Sequence, residues 1–332
     1  MNSHSEDHPT RTNRRGQLLL VGAVVLAIVI VVLSLVVNTV LFTQNTNAEG
    51  VSAQVENVEE FEFETGKTTR SILLRVNHAA HERNVTALQE HVSQSIRNYS
   101  DALERSTATS GTAYANASDW LTIRNGTRLI QPDDRDFNST NSTDPDPENW
   151  EPISAGNETD IGWYLLNVDL RNVSAQQAQI NITGDSEYLE YSMNRSENGN
   201  GNNLSVAVSN ASTAWGTVNC TTTGGRVLVD LVDGDASLGQ CSFPGIEDTL
   251  EPPYDVEIEN GDRIYGTYSI VTGTEWDAHP WTTSTFPECD GNSSADTCST
   301  PAVWNGSINL TYTSSTVQYA QQRNVTVYGG DT

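Results

Sequence analysis

The longest apolar stretch of the chain lies near its N-terminus. Leu18–Val37 contains twenty residues without a charge. At about 1.5 Å per residue, a helix of this length spans about 30 Å, the thickness of a bilayer's hydrocarbon core. The run is longer than the apolar part of a removable signal peptide, about 7–15 residues. We therefore expect a retained transmembrane helix within residues 17–43.

A helical pattern comes after an acidic connector over residues 44–66. From Lys67 to Ala108, apolar residues recur every three or four positions, which predicts two helices. The second is expected to begin at Asn84 or Thr86. We assign residues 44–111 to a connector and helical stalk, whose stripe packs on its own domain or on a neighbouring subunit. The stripe consists of Ile72, Val76, Ala80, Leu88, Val92, Ile96, Tyr99 and Leu103.

The sequence pattern of residues 112–332 is typical of a β domain. Short runs rich in Val, Ile, Tyr, Trp and Thr alternate with turn-rich stretches, which favours an antiparallel sandwich or open sheet. We interpret residues 131–160 as an exposed loop. The predicted fold class is α+β: a transmembrane helix and helical stalk, then a mainly antiparallel, sandwich-like ectodomain. The predicted strands are Ile161–Leu170, Gln179–Thr183, Glu187–Ser192, Leu204–Ser209, Arg226–Val232, Asp255–Ile258, Ile264–Thr272, Ser307–Thr313 and Asn324–Tyr328.

Basic residues flank the apolar run on one side only. Arg11, Arg14 and Arg15 precede it, whereas the first basic residue after it is Lys67. Positive charge on the short N-terminal side places residues 1–16 in the cytoplasm. We therefore expect a single-pass protein of the cell membrane with its C-terminal part outside.

The border of the apolar run reads Arg14-Arg15-Gly16-Gln17. Basic residues, Gly and Gln directly before an apolar helix resemble the class III signal peptide of haloarchaeal pilin-like and archaellin-like surface proteins. The resemblance covers about 25 residues and implies that a prepilin peptidase cuts between Gly16 and Gln17. Val21 stands where bacterial pilins usually have Glu, a residue that archaeal relatives often lack. A plain Arg-flanked signal anchor is the alternative.

The net charge of the chain excludes one class of partner and indicates the salt concentration in which the protein works. The 332 residues include 43 Asp and Glu against 17 Lys and Arg, a formal charge of −26, and Lys67 is the only lysine. Such a chain repels phosphate backbones, so we expect no nucleic-acid partner. Few lysines and many carboxylates favour a halophilic protein kept soluble in concentrated salt. An acidic surface protein of a mesophile is the alternative.

Glycosylation sequons are abundant and lie only after the apolar run. Seventeen Asn-x-Ser/Thr motifs occur, where chance placement would give roughly six. Because a glycan requires a surface position in an exported domain, these asparagines indicate an extracellular glycoprotein. The motifs start at Asn84, Asn98, Asn116, Asn125, Asn138, Asn141, Asn157, Asn172, Asn181, Asn194, Asn203, Asn210, Asn219, Asn292, Asn305, Asn309 and Asn324.

Four cysteines come after the apolar run, at Cys220, Cys241, Cys289 and Cys298. An even number in an extracellular domain indicates disulfides, with three possible connectivities. Local pairing, Cys220–Cys241 and Cys289–Cys298, is the simplest of the three. The spacing does not match that of a zinc site.

Fragments of catalytic and metal motifs are incomplete. Residues 66–68 read Gly-Lys-Thr but lack the first glycine of a phosphate-binding loop. His78 and His81 are three residues apart, which is more typical of a solvated helix face than of a metal site. Glu275 and Asp277, beside tryptophans, form the only hint of a hydrolase. The acidic runs at 144–146 and 230–235 do not complete an EF-hand. We therefore expect no enzyme, metal or cofactor.

These observations predict a non-catalytic, pilin-like cell-surface glycoprotein, anchored by or assembled through its N-terminal apolar helix. Its expected partners are membrane lipid, N-glycans, a prepilin peptidase and other pilin-like subunits. The alternative is a monomeric, single-pass membrane-anchored surface glycoprotein that binds an extracellular ligand or carbohydrate.

Overall fold

The computed structural model describes most of the chain after residue 57. The described ranges are 58–79, 84–110, 113–140, 144–154, 160–196, 203–221, 224–236, 241–276, 286–289, 297–315 and 317–328. The predicted leader, residues 1–16, and the apolar segment, residues 17–43, lie outside them. The chain divides into two compact units, Met1–Phe61 and Glu62–Thr332. The described residues of the first unit, 58–61, are helical.

In the described residues, the second unit begins with two helices and continues with fourteen strands. Residues 62–79 are helical and are labelled α1. The remaining elements are α2 (Val85–Ser110), β1 (Ala113–Asp136), β2 (Trp150–Ile153), β3 (Ile161–Asp169), β4 (Ala178–Thr183), β5 (Tyr188–Arg195), β6 (Asn203–Ser209), β7 (Ala214–Thr221), β8 (Arg226–Asp230), β9 (Asp235–Ala236), β10 (Cys241–Ser242), α3 (Ile246–Thr249), β11 (Asp255–Glu259), β12 (Tyr265–Thr272), β13 (Cys298–Ser314) and β14 (Gln318–Thr326).

The strands form two antiparallel sheets. The larger sheet has eight strands in the order β10-β9-β8-β3-β12-β1-β13-β14, and the smaller has six in the order β2-β11-β4-β5-β6-β7. β1 lies near the middle of the larger sheet and pairs with β12 on one side and β13 on the other. The C-terminal strand β14 forms an edge of that sheet.

A continuous hydrophobic core lies between the two sheets. Tyr164, Leu166 and Val168 alternate along β3 and pack in one cluster with Ile180 and Ile182 of β4. All five side chains are almost fully buried. Because side chains of a strand point alternately to its two faces, the intervening residues of β3 face away from this core.

The helices cover the other face of the larger sheet. Trp163, between the core residues of β3, contacts His78 of α1, and Arg128 of β1 hydrogen-bonds both Ser269 of β12 and Asn77 of α1. α2 packs on β1 and β13. Asn84 forms the N-cap of α2, since its Oδ1 accepts from Ala87 N–H at 2.9 Å. The buried apolar residues of the helices are Leu73, Val76, Leu88, Val92 and Ile96.

The predicted fold class, α+β with a helical stalk before a separate β ectodomain, is wrong. The described residues are mostly antiparallel β, and α1 and α2 lie on the larger sheet instead of forming a stalk. The physical reason is that their apolar stripe finds its partner within the same unit. Among the residues that the structure describes, no helix is long and apolar enough to cross a membrane.

Strand predictions were accurate only where the two faces of a strand differ. β3, β4, β6, β11 and β12 begin and end within one residue of the predicted bounds. The interpretation of residues 131–160 as one exposed loop was wrong, because β1 extends to Asp136 and β2 lies within that range. β1 was missed altogether, because its sequence lacks the alternation of apolar and polar residues that marks β3.

Two disulfides join the local cysteine pairs. Cys220 of β7 is bonded to Cys241 of β10, with Cα atoms 5.5 Å apart, so the bond links an edge of the smaller sheet to an edge of the larger. Cys289 is bonded to Cys298 at the start of β13, with a Cα separation of 5.1 Å, and this pair packs against Ile130. Two disulfides are compatible with an extracellular protein.

Removing the Cys220–Cys241 bond is expected to destabilise the protein more than removing Cys289–Cys298. The sequence separations are 21 and 9 residues, for which loop-closure entropy gives about 3.3 and about 2.6 kcal/mol. The measurement is chemical unfolding of the two double Cys→Ala variants at one salt concentration. Equal or reversed losses would contradict the expected order.

Candidate functional site

A concave surface lies where α1 meets the ends of β3 and β14. Two adjoining depressions of about 180 and about 240 Å³ share Gly162, Val232, Glu247 and Tyr328. We call this surface the cleft. Its other lining residues are Arg70, Leu74, Asp160, Ile161, Trp163, Asp230, Asp233, Leu250, Glu251, Pro252, Tyr254, Trp304 and Val327.

Carboxylates dominate the polar lining of the cleft. Burial, reinforced by Asp233 and Asp235, raises the pKa of Asp230 to about 6, although backbone N–H groups of Val232 and Asp233 donate to it. Burial also raises the pKa of Asp160. The Asp230 carboxyl is therefore ionised only at a higher pH than an ordinary aspartate.

This acidity does not make a metal centre in the described chain. Asp230, Asp233 and Asp235 succeed one another in the turn from β8 to β9. Within the ranges that the structure describes, no group of three or more His, Cys, Asp or Glu side chains has a metal-binding arrangement.

Aromatic side chains form the floor of the cleft, and a glycine allows their close approach. The rings of Trp304 and Tyr328 have centroids 5.6 Å apart. A Cβ at Gly162 would lie 2.1 Å from Tyr328 Cβ and 2.8 Å from the Trp304 ring. Since such contacts are not tolerated, the β3 backbone can pass beneath these rings only with glycine at this position.

Beneath the cleft, Asn77 joins α1 to β13. Asn77 is 2% exposed. Its Nδ2 donates to Val303 O at 2.8 Å and to the Tyr328 hydroxyl at 3.0 Å, and its Oδ1 accepts from Val303 N–H at 2.8 Å. The ladder between β13 and β14 ends at Asn305–Thr326. The side-chain amide of Asn77 therefore bonds the backbone N–H and C=O of Val303, as a neighbouring strand would.

Arg128 provides a buried positive charge in the same layer. It is 7% exposed, and Nη1 donates to the backbone O of Asn77 at 2.5 Å while Nε donates to Ser269 Oγ at 3.0 Å. Burial lowers the pKa of Arg128 to about 10. The guanidinium therefore stabilises the C-terminal part of α1 through hydrogen bonds to neutral acceptors.

His78 lies between this charge and the aromatic floor. Its ring centroid is 4.8 Å from that of Trp163, and its Nε2 is 3.4 Å from the Tyr328 hydroxyl. Burial, reinforced by repulsion from Arg128, lowers the pKa of His78 to about 4. The interpretation of His78 as a solvated surface residue was therefore wrong. His81 lies outside the described residues.

The described sequon asparagines all reach the surface. Fourteen of the seventeen are described, and none is buried. Asn84, Asn98, Asn172, Asn219 and Asn324 are exposed. The partly exposed ones are Asn116, Asn125, Asn138, Asn181, Asn194, Asn203, Asn210, Asn305 and Asn309, while Asn141, Asn157 and Asn292 lie outside the described residues.

The outer face of the smaller sheet carries a dense group of sequons. Asn194 of β5 and Asn219 of β7 flank Ser205 of β6 in one cross-strand row, which places the two asparagines about 10 Å apart. Asn181 of β4 shares this face, but its Oδ1 is buried, as is that of Asn138. The solvent side of this sheet is therefore suited to glycans at some positions and not at others.

The remaining sequence candidates do not assemble into a site. Gly16 and Gln17 lie outside the described residues. Residues 66–68 are part of α1. Glu275 is exposed and Trp276 is buried, whereas Asp277 lies outside the described residues.

Sequence reasoning missed Asn77, Arg128 and Gly162. Asn77 directly succeeds Val76 of the apolar stripe, which is a weak signal for a buried amide. Arg128 and Gly162 carry no local signal, because their roles depend on contacts with residues more than 50 positions away.

The architecture defines a class: an antiparallel β sandwich with a helical layer on its larger sheet. Residues 12–144 match the profile of a family of unknown function, DUF7261. This range covers less than half of the chain, from the predicted leader to the loop after β1. No curated protein and no solved structure matches the chain.

Replacing Asn77 by Ala is expected to lower the free energy of unfolding by about 3 kcal/mol, because the buried backbone groups of Val303 lose their partners. Gln94→Ala, which removes an amide from an exposed position of α2, is the matched control. Chemical unfolding measures both. A loss no greater than that of the control would show that Asn77 does not hold α1 on the sheet.

His78 is expected to make the protein sensitive to mild acid. Its pKa is lower in the folded state, so the unfolded state binds the proton first and stability falls from about pH 6.5 to pH 4. His78→Gln should remove about 2 kcal/mol of this loss, allowing for partial exposure. The measurement is the unfolding free energy at pH 7 and pH 4, with His91→Gln as the control on α2. If both variants respond alike, His78 does not cause the acid sensitivity.

Proposed function

We propose that the chain is a non-catalytic, pilin-like cell-surface glycoprotein, attached to the membrane by or assembled through its apolar segment. The observation that carries this proposal is the surface position of every described sequon asparagine. A glycan can be attached only to an asparagine at the surface, and none of the fourteen described sequon asparagines is buried. Their exclusion from the core supports an exported, sugar-bearing domain.

The compartment is supported by two further features. Both disulfides are of a kind that persists in oxidising surroundings. The sequons and cysteines all come after the apolar segment, on the side that the Arg residues before it assign to the outside. The β domain of this proposal is therefore external.

The pilin-like part of the proposal rests on the Gly16–Gln17 border. The match to DUF7261 starts at residue 12 and so includes this border and the apolar segment. A family whose similarity spans both the N-terminal segment and the helical layer is consistent with a shared N-terminal role. Packing of apolar segments, without catalysis, would then be the mechanism of assembly.

The cleft favours a second candidate function, a membrane-anchored monomer that binds an extracellular ligand. An aromatic floor beside carboxylates provides both apolar contact and hydrogen-bond acceptors for a carbohydrate. Its rings are largely buried, with Trp304 and Tyr328 only 6% and 3% exposed. Because little ring surface is left for stacking on a sugar, we place this function second.

Mass spectrometry of the protein from its native membrane is expected to find a mature N-terminus at Gln17. The same digest should show glycans at the exposed Asn172 and Asn219. Asn181 should be unmodified, because its amide nitrogen donates to Glu259 and its carbonyl oxygen is buried.

The two parts of this experiment separate the two candidate functions. A start at Gln17 with modified sequons supports the pilin-like glycoprotein. A retained leader with modified sequons supports the anchored monomer. If the sequons are unmodified, the surface glycoprotein proposal fails in both forms.

A further inference from the structure

Three of the four sheet edges carry features that prevent pairing with another strand. β10 has only two residues, and β2 has four, including Pro152. β7 has a register break where it pairs with β6, and Gly216 within it has φ of 95°. Short length, proline and bulges are the usual means by which soluble proteins block edge-to-edge association.

The fourth edge, β14, lacks these features. Its nine residues pair with β13 without a register break, from Asn305–Thr326 to Thr313–Gln318. It contains no proline, lysine or carboxylate in a chain of charge −26. Its single charge, Arg323, forms an ion pair with Glu62 of α1 at 2.9 Å. β14 is thus a long, regular and nearly uncharged edge.

The ladder fixes which backbone groups of β14 point away from the sheet. Val327 N–H donates to Trp304 O, and Ser314 N–H donates to Val317 O, so the odd-numbered residues bond to β13. In an antiparallel ladder the alternate residues direct both N–H and C=O outward. The outward-facing residues are Gln318, Ala320, Gln322, Asn324 and Thr326.

We propose that β14 is an interaction surface for a second copy of this chain, paired antiparallel across a two-fold axis at Gln322. In this register Gln318 faces Thr326, and Ala320 faces Asn324 of the other copy. The neighbouring pairs bring Arg323 opposite Gln321. No like charges lie directly opposite each other, and the small Ala320 leaves space beside the sequon residue Asn324. The strand is therefore complementary to itself, as a two-fold interface requires.

An exposed apolar side chain next to this edge supports the same partner. Phe63 of α1 is 58% exposed. The preceding residue, Glu62, bonds to Arg323 and to the Tyr319 hydroxyl of β14, which places Phe63 near the edge. A two-fold axis through the joined sheet brings the two α1 helices to the same face. Burial of Phe63 between them would add apolar contact to the backbone hydrogen bonds.

This interface goes beyond the proposed function and does not depend on it. Pairing through β14 requires neither cleavage after Gly16 nor glycosylation. Its failure in the purified protein would leave the N-terminal and glycopeptide results unaffected, and the reverse also holds.

Cysteine cross-linking of the full chain in detergent tests the register. All four native cysteines are in disulfides, so an introduced cysteine is the only free thiol. In the proposed pairing, Gln322 faces itself with Cα atoms about 5.5 Å apart, within disulfide range. Gln318 lies about 27 Å from its own copy. Gln322→Cys should give at least about tenfold more cross-linked dimer than the matched control Gln318→Cys.

A second variant tests the interface without a cross-link. Ala320→Pro removes an outward N–H and leaves the ladder to β13 intact, so it should convert the dimer to a monomer, with Ala320→Ser as the control. Molecular mass in detergent is measured by light scattering. Equal cross-linking at positions 318 and 322, no cross-linking at 322, or a dimer that persists in Ala320→Pro would each overturn the proposal.

Discussion

The structure depends on the burial of both faces of the larger sheet. One face meets the smaller sheet through an apolar core, and the other meets α1 and α2. A sheet covered on both sides has no water for its polar groups, so each must find a partner inside. Asn77 supplies that partner for Val303, and carbonyl and hydroxyl oxygens supply it for Arg128. The cleft forms above these residues because their hydrogen bonds hold α1 at a fixed place on the sheet.

The surface of the protein is acidic and polar. Carboxylates and sequon asparagines occupy the surface. Several of the few basic residues form ion pairs with carboxylates. Arg323 bonds to Glu62, and Arg171 bonds to the buried Asp169 at 2.5 Å. Two copies with this negative surface charge repel each other. In salt, this repulsion is screened at distances beyond about 10 Å or less. Contacts between copies are then favoured where carboxylates are absent, which in the described chain includes β14.

The elements that could be predicted from the sequence are those whose signal lies in residues adjacent along the chain. Alternation located β3, β4 and β6, because each has one face in the core and one outside it. Asn84 was a correct helix start, since capping needs only the next three residues. β1 and the packing of the helices were not predictable, because they depend on a layer supplied by distant residues. The local cysteine pairing, the simplest of three connectivities, was confirmed. The cleft had no signal in the sequence, because its lining comes from distant residues.

The contact between α1 and the last residues of β14 has a consequence for biogenesis. Asn77 and Tyr328 are hydrogen-bonded across 251 positions, and Arg70 bonds to Val327 across 257. During synthesis α1 emerges about 250 residues before these partners. Closing so long a loop is slow, because its entropy must be overcome before the contact forms. The side chains of Asn77 and Arg70 in α1 therefore lack these partners until about 250 further residues have been synthesised.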